Sequence, residues 1–173
     1  MAIHLILGGA RSGKSAYAEK LVEQFAAVQG APVCYIATAQ VQDVEMQQRI
    51  AHHQASRPAG WQTYEVQTDL AGALFQQSQE GVVIIDCLTL WLMSCFSQYP
   101  TINQAAIDEF MAALSVFKGE LYMVSNEISM GVVPMGAISR DYVDALGRMH
   151  QNIAAMADRV TLMVAGIPMK VKG

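Results

Sequence analysis

Short continuous apolar runs alternate along this chain with longer stretches in which apolar residues recur every three or four positions. The runs AIHLIL (2–7), VCYIA (33–37), VVIID (82–86), LYMVS (121–125) and VTLMVA (160–165) read as strands buried on both faces. Between them Ala18, Leu21, Val22 and Phe25 follow helical spacing. So do Ile107, Phe110, Met111 and Leu114, and then Tyr142, Leu146, Met149, Ile153 and Met156. Strands alternating with helices predict an α/β domain: a mostly parallel sheet covered by helices on both faces, with ligands at the carboxyl ends of the strands. The methionines on the later helices read as core. No linker or repeat divides the chain, so residues 1–173 are expected to form one domain. The loosest regions are about 38–66 and 96–103. The first is polar and carries histidines, which makes it the place to look for function.

Bulk properties narrow the options. A net charge of −4 with no Lys/Arg-rich run gives no electrostatic case for nucleic acid. Although 53% of residues are hydrophobic, no apolar run approaches the ~20 residues of a transmembrane helix. The start, MAIHLILGG, is too short and lacks the basic residues of a secretory signal. Cys34, Cys87 and Cys95 show no C-x-x-C spacing and read as buried, reduced thiols. These features together predict a soluble cytoplasmic protein.

The most specific local feature is GGARSGKS (8–15), which fits the phosphate-loop pattern G-x-x-x-x-G-K-[ST] through Gly8, Gly13, Lys14 and Ser15. It follows an apolar strand and precedes an amphipathic helix, as its mechanism needs. Glycines let successive backbone N–H groups turn toward phosphate oxygens, and the helix start adds a positive dipole end. Lys14 is placed to reach the β- and γ-phosphates, and Ser15 to ligate Mg²⁺. An acid is expected at the end of another buried strand. Asp86, closing VVIID, can hold the metal or contact a base.

A phosphate loop does not choose among kinase, motor and switch. A GTPase should carry N-K-x-D, which is missing. DALG (144–147) has D-x-x-G spacing but falls inside a predicted helix.

The second informative stretch is EMQQRIAHHQASRPAGW (45–61). Its first part reads as a helix, ended by Pro58 and Gly60. His52 and His53 then lie on its last turn, with Arg49 one turn earlier. Adjacent side chains point about 100° apart on a helix, which disfavours a two-histidine metal site. By spacing alone these are exposed histidines on a polar helix. A single neutral imidazole can instead attack phosphorus and form a nucleotidyl- or phospho-histidine.

Taken in order, GGARSGKS, YIATAQ, D-x-EMQQRIAHHQASRP-x-x-W, DCLTLWL, SNEISMGVVP and VAGIPMKVK resemble the bifunctional adenosylcobinamide kinase/adenosylcobinamide-phosphate guanylyltransferase family of cobalamin synthesis. The resemblance runs from Ile3 to Lys172. It implies phosphorylation of the aminopropanol hydroxyl of adenosylcobinamide by ATP or GTP. Transfer of GMP from GTP onto that phosphate follows, through a GMP–histidine intermediate, with release of pyrophosphate. It also implies a RecA-like P-loop NTPase fold and a homotrimer. The guanylylated residue aligns with His53, and His52 is the other candidate. The family's nucleotide contacts fall on Gly8, Gly9, Ala10, Arg11, Ser12, Gly13, Lys14 and Ser15, then on Ala37, Thr38 and Ala39. They continue on Gln54, Ala55, Ser56, Arg57, Glu65 and Asp86. Asn126 and Glu127 are expected to end the fourth strand, on the same sheet edge as the loop. The histidine segment after residue 38 is expected to swing toward the loop. A plain P-loop small-molecule kinase is the alternative enzyme, and a nucleotide-dependent switch the non-enzymatic one.

Overall fold

A computed structural model describes residues 2–39, 58, 60–77 and 81–173. In chain order its elements are β1 (Ala2–Gly8), α1 (Lys14–Gln29), β2 (Val33–Ala37), β3 (Gln62–Glu65), α2 (Leu70–Phe75) and β4 (Val82–Asp86). There follow α3 (Leu88–Cys95), α4 (Gln104–Val116), β5 (Glu120–Asn126), α5 (Ala137–Met156), β6 (Arg159–Val164) and β7 (Ile167–Lys172). All seven strands form one sheet in the order β3-β2-β4-β5-β1-β6-β7. Every pairing is parallel except β6 with β7.

The central strands are the apolar runs of the sequence, and their period-2 alternation divides the core. On β4, Val82 and Ile84 pack toward α1 with Ala18 and Val22, together with Ile6, Tyr35 and Val124. Val83 and Ile85 face the other way, toward Leu74 of α2, Trp91 of α3, Phe110 of α4 and Leu146 of α5. Each fully buried Ile or Leu of this kind contributes roughly 1.5–3 kcal/mol. All three cysteines are buried and unpaired. Burial pushes the thiols up, Cys34 and Cys87 to about 12 and Cys95 to about 11. Among the described residues no helix is long and apolar enough to cross a membrane.

The five predicted strands and the three helices predicted from apolar spacing at 18–25, 107–114 and 142–156 are present, and residues 144–147 do lie inside α5. The helix predicted in the first part of 45–61 falls outside the described residues. Four elements escape the pattern. β3 is QTYE with all four residues exposed, and β7 is IPMKVK with all six exposed. Both are edge strands, where no continuous apolar run is required. Pro168 is tolerated in β7 because an edge strand can spare an N–H. The β6–β7 turn places Ala165 at φ 51° and Gly166 at φ 81°, the positive angles of a two-residue hairpin. α3 (LTLWLMSC) buries five of its eight residues, leaving no polar face for a helical period to show. α2 is only six residues long. Because β3 intervenes, Asn126 ends the fifth strand rather than the fourth.

Connectivity places the ligand crevice. β1 and β5 are neighbours, but α1 leaves β1 for one face and α5 follows β5 on the other. Diverging connections open a crevice at the carboxyl ends of the two strands.

Candidate nucleotide site

The glycine-rich loop lies in that crevice. Gly8 ends β1, and α1 begins at Lys14. A Cβ on Gly8 would sit 2.6 Å from Ser12 Oγ and 2.7 Å from the Met163 carbonyl oxygen, so glycine there lets the loop pass close to β6. Gly13, just before α1, adopts φ 89° and ψ 11°, a left-handed conformation that favours glycine. The hairpin turn braces the loop, with Gly166 N–H donating to Ser12 O at 3.1 Å. On the other side Glu127 N–H donates to Gly8 O at 3.0 Å. Ser12 Oγ is buried with no hydrogen-bond partner among the described residues. A buried hydroxyl left so costs roughly 1–3 kcal/mol, and an acceptor such as a phosphate oxygen would relieve it. The first turn of α1 carries no acid to oppose an anion.

Lys14 is 8% exposed, and its Nζ donates to Gly9 O at 2.6 Å. Burial lowers its pKa from the ordinary lysine value, opposed by negative charge at Cys87 and Asp86. The Cys87 thiol, held near 12, is uncharged at neutral pH, so Asp86 is the anion that Lys14 meets. Asp86 is half-buried at the end of β4 and accepts from the Tyr35 hydroxyl at 2.8 Å. Ser15 is half-buried in the first turn of α1, whereas Gly9, Ala10 and Arg11 are exposed.

Sheet register brings other expected contacts to the same edge. Ala37 pairs with Asp86 on one side and with Glu65 on the other. Glu65 is exposed, and Ala39 is half-buried. Thr38 is 2% exposed and its hydroxyl is engaged. It donates to Cys87 O at 2.7 Å and accepts from Cys87 N–H at 2.8 Å, tying the end of β2 to that of β4. His52, His53, Gln54, Ala55, Ser56 and Arg57 lie outside the described residues, as does the helix expected to carry the histidines. The structure therefore gathers the loop, residues 37–39, Glu65 and Asp86 at one sheet edge.

A polar network beside the loop was not read from the sequence. Ser125 on β5 is fully buried, 2.7 Å from His150 Nε2 and 3.1 Å from Thr89 Oγ1. Thr89 Oγ1 also accepts from Asn126 N–H at 2.7 Å, and its carbonyl accepts from the Tyr142 hydroxyl at 2.6 Å. His150 Nδ1 lies 4.0 Å from Glu127 Oε2. The available signal was a histidine within the stripe Leu146, Met149, Ile153, where a helix facing the core would otherwise be apolar.

Comparison with known proteins decides the family. The profile of the cobinamide kinase / cobinamide phosphate guanyltransferase family matches residues 4–171. The chain is 47% identical over 171 residues to the bifunctional adenosylcobalamin biosynthesis protein CobP of Pseudomonas aeruginosa, covering 98% of this chain and 96% of that one. The chain belongs to this family. It is also 35% identical over 184 residues to the bifunctional adenosylcobalamin biosynthesis protein CobU of Salmonella typhimurium, covering 97% and 98% of the two chains. The CobU of Escherichia coli is equally similar. The resemblance drawn from the motifs is thus confirmed across the chain, and the family is one of transferases. Solved structures speak to the fold alone. The flagellar accessory protein FlaH of Methanocaldococcus jannaschii superposes with TM-score 0.56 at 14% identity, over 99% of this chain and 78% of that one. A KaiC-like protein of Pyrococcus horikoshii gives 0.55 at 10% identity, over 93% and 70%. Both are P-loop folds, in line with the expected RecA-like architecture.

Proposed function

We propose that this chain, working as one domain, phosphorylates adenosylcobinamide with ATP or GTP. It then transfers GMP from GTP to the product through a GMP–histidine intermediate on His53. Near-full-length similarity to bifunctional relatives carries this reading, and a buried lysine in a phosphate-type loop supports it. The loop residues Gly8 to Ser15 hold the triphosphate, with Lys14 as the buried cation facing it. Ala37, Thr38, Ala39, Gln54, Ala55, Ser56, Arg57 and Glu65 complete the nucleotide pocket. Arg11 or Arg57 offsets charge on the transferred group. The hydroxyl of Ser15 and the carboxylate of Asp86 form a hard-oxygen donor pair that fits Mg²⁺, which binds with few protein ligands and several phosphate oxygens. That ion, when bound, would neutralise charge on the triphosphate.

The nucleophile presented decides which phosphorus is attacked. A substrate hydroxyl takes the γ-phosphoryl group. His53 takes the α-phosphorus as a phosphoramidate and releases pyrophosphate, and the phosphorylated substrate then displaces the histidine. The test is a pair of steady-state assays on His53→Ala. GMP transfer should be lost while phosphorylation of adenosylcobinamide survives. Loss of both in a folded protein would overturn this division of labour.

Use of nucleoside triphosphates supports a cytoplasmic location. We also propose a homotrimer. Met130, Val132, Val133 and Met135 after β5, and Ile167, Met169 and Val171 on β7, are exposed apolar side chains of the kind that assembly covers. Light scattering should give three times the chain mass.

A further inference from the structure

Phosphorylating an alcohol requires something to accept the hydroxyl proton, and the residues assigned so far include no such group. Three carboxylates on this sheet edge are candidates: Glu65, Asp86 and Glu127. Glu65 lies on the exposed edge strand β3, away from the loop strand β1 in the sheet order. Asp86 is already engaged, accepting from the Tyr35 hydroxyl and facing the charge of Lys14 on the phosphate loop. Glu127 is different. It lies one residue beyond β5, the strand adjoining the loop strand, and its own N–H is bonded to Gly8 O.

Its side chain is restrained. Glu127 Oε1 accepts from Ser129 N–H at 2.6 Å and also from the Ser129 hydroxyl. Oε2 faces His150 Nδ1 at 4.0 Å, with the Glu127 and His150 side chains 13% and 9% exposed. Behind them His150, Ser125 and Thr89 form a buried chain that returns to the backbone N–H of Asn126. Burial lowers the His150 pKa, with the charge of Glu127 opposing. Burial thus favours the uncharged imidazole, whose Nε2 lies within hydrogen-bonding distance of the Ser125 hydroxyl.

We propose that Glu127 is the catalytic base of the kinase step and that His150 is its positioning residue. The substrate oxygen bonds to the γ-phosphorus as the bond from that phosphorus to the β–γ bridging oxygen breaks. The hydroxyl proton passes to the Glu127 carboxylate, and the nucleoside diphosphate leaves with the bridging electron pair. This rests on the two-step reading above, and it divides the two steps sharply. In GMP transfer the attacking group is a phosphate monoester, largely ionised at neutral pH because its second pKa is about 6. That step needs no base.

The test uses the full chain in two assays: phosphorylation of adenosylcobinamide, and GMP transfer to preformed adenosylcobinamide phosphate. Glu127→Gln keeps shape and one acceptor but loses the basic oxygen. Its kinase kcat should fall about 100-fold or more, with KM values and GMP transfer within about threefold of wild type. His150→Ala should lower kinase kcat about tenfold with KM unchanged, and His150→Gln, which keeps a polar contact for Ser125, should recover most of that loss. Kinase kcat within about threefold of wild type in Glu127→Gln, or an equal fall in both assays, would overturn the assignment. An equal fall in both assays for His150→Ala, or no rescue by His150→Gln, would reduce His150 to a packing role. A wild-type chain lacking kinase turnover would instead overturn the two-step reading, and the base assignment with it.

Discussion

The neighbouring strands β1 and β5 have a histidine–glutamate pair at each end, and the two pairs are built differently. At the amino end His4 and Glu120 both sit on strands. They touch directly, with Nε2 3.0 Å from Oε1 and side chains 5% and 9% exposed. Tyr122, register partner of His4, stacks on the imidazole with centroids 4.4 Å apart. Its hydroxyl also reaches Glu120 at 3.4 Å. At the carboxyl end His150 comes from α5, and Glu127 from the chain that has just left β5. His150 Nδ1 and Glu127 Oε2 are 4.0 Å apart, and the glycine loop adjoins them through the Glu127 N–H on Gly8 O. At the first end the pair and its stacked tyrosine are packed between regular strands. At the second, chains diverging to opposite faces leave a crevice. The same two residue types thus serve packing at one end and chemistry at the other, and topology decides which.

Substitutions at the two ends should separate these roles. The largest effect is expected from Lys14→Ala, which removes the buried cation of the phosphate loop. Both activities should fall by about 10²–10³ or more, while the melting temperature does not drop, because a desolvated ammonium group is lost. A variant that keeps either activity within tenfold would contradict the placement of Lys14. Next is Glu120→Ala at the amino end. Leaving His4 and Tyr122 without their partner should cost about 1–3 kcal/mol in urea unfolding. Both kcat values of the folded protein should stay at wild type. If kcat fell at temperatures where the variant is fully folded, the two ends would not be independent.

The smallest effect concerns pH. Burial holds the folded pKa of His150 below its ordinary value, which is about 6.5. As pH falls, the unfolded chain takes up that proton first. The contribution is therefore fully present above about pH 6.5. It is lost as pH drops toward the lowered folded pKa, at no more than about 1.4 kcal/mol per pH unit. Unfolding free energies of wild type should fall more steeply between pH 7 and 5 than those of His150→Gln. Equal slopes would mean that His150 is not held neutral.

Much of this was legible in the sequence, for definite reasons. The strands VCYIA and VVIID are continuous apolar runs because both faces of a central strand are covered, and their bounds match the structure. The phosphate loop was legible because its glycines answer to backbone constraints: close approach at Gly8 and a left-handed angle at Gly13. β3 was not, because an edge strand gains order from one neighbour and QTYE stays polar on both faces. β7 was not, because Ile167, Met169 and Val171 alternate with Pro168, Lys170 and Lys172 instead of forming a continuous apolar run. α3 was hidden for the opposite reason, since apolar Leu90 and Met93 fill positions on the side away from its five buried residues and blur the helical period. The Ser125–His150–Thr89 network was hidden because Thr89 and His150 are 36 and 25 residues from Ser125 along the chain. Only the strand and helix register brings them together. The hydroxyl of Thr38 shows the reverse limit: a motif position expected to meet ligand is occupied with Cys87.

The claim that one sheet edge serves two transfers is tested most directly by covalent labelling. The protein would be incubated with Mg²⁺ and GTP labelled at the α- or the γ-phosphate, then denatured. The account predicts that α-label stays on the wild-type chain through an acid-labile, base-stable bond and is absent from His53→Ala. Retention of γ-label, or no retained label at all, would contradict it.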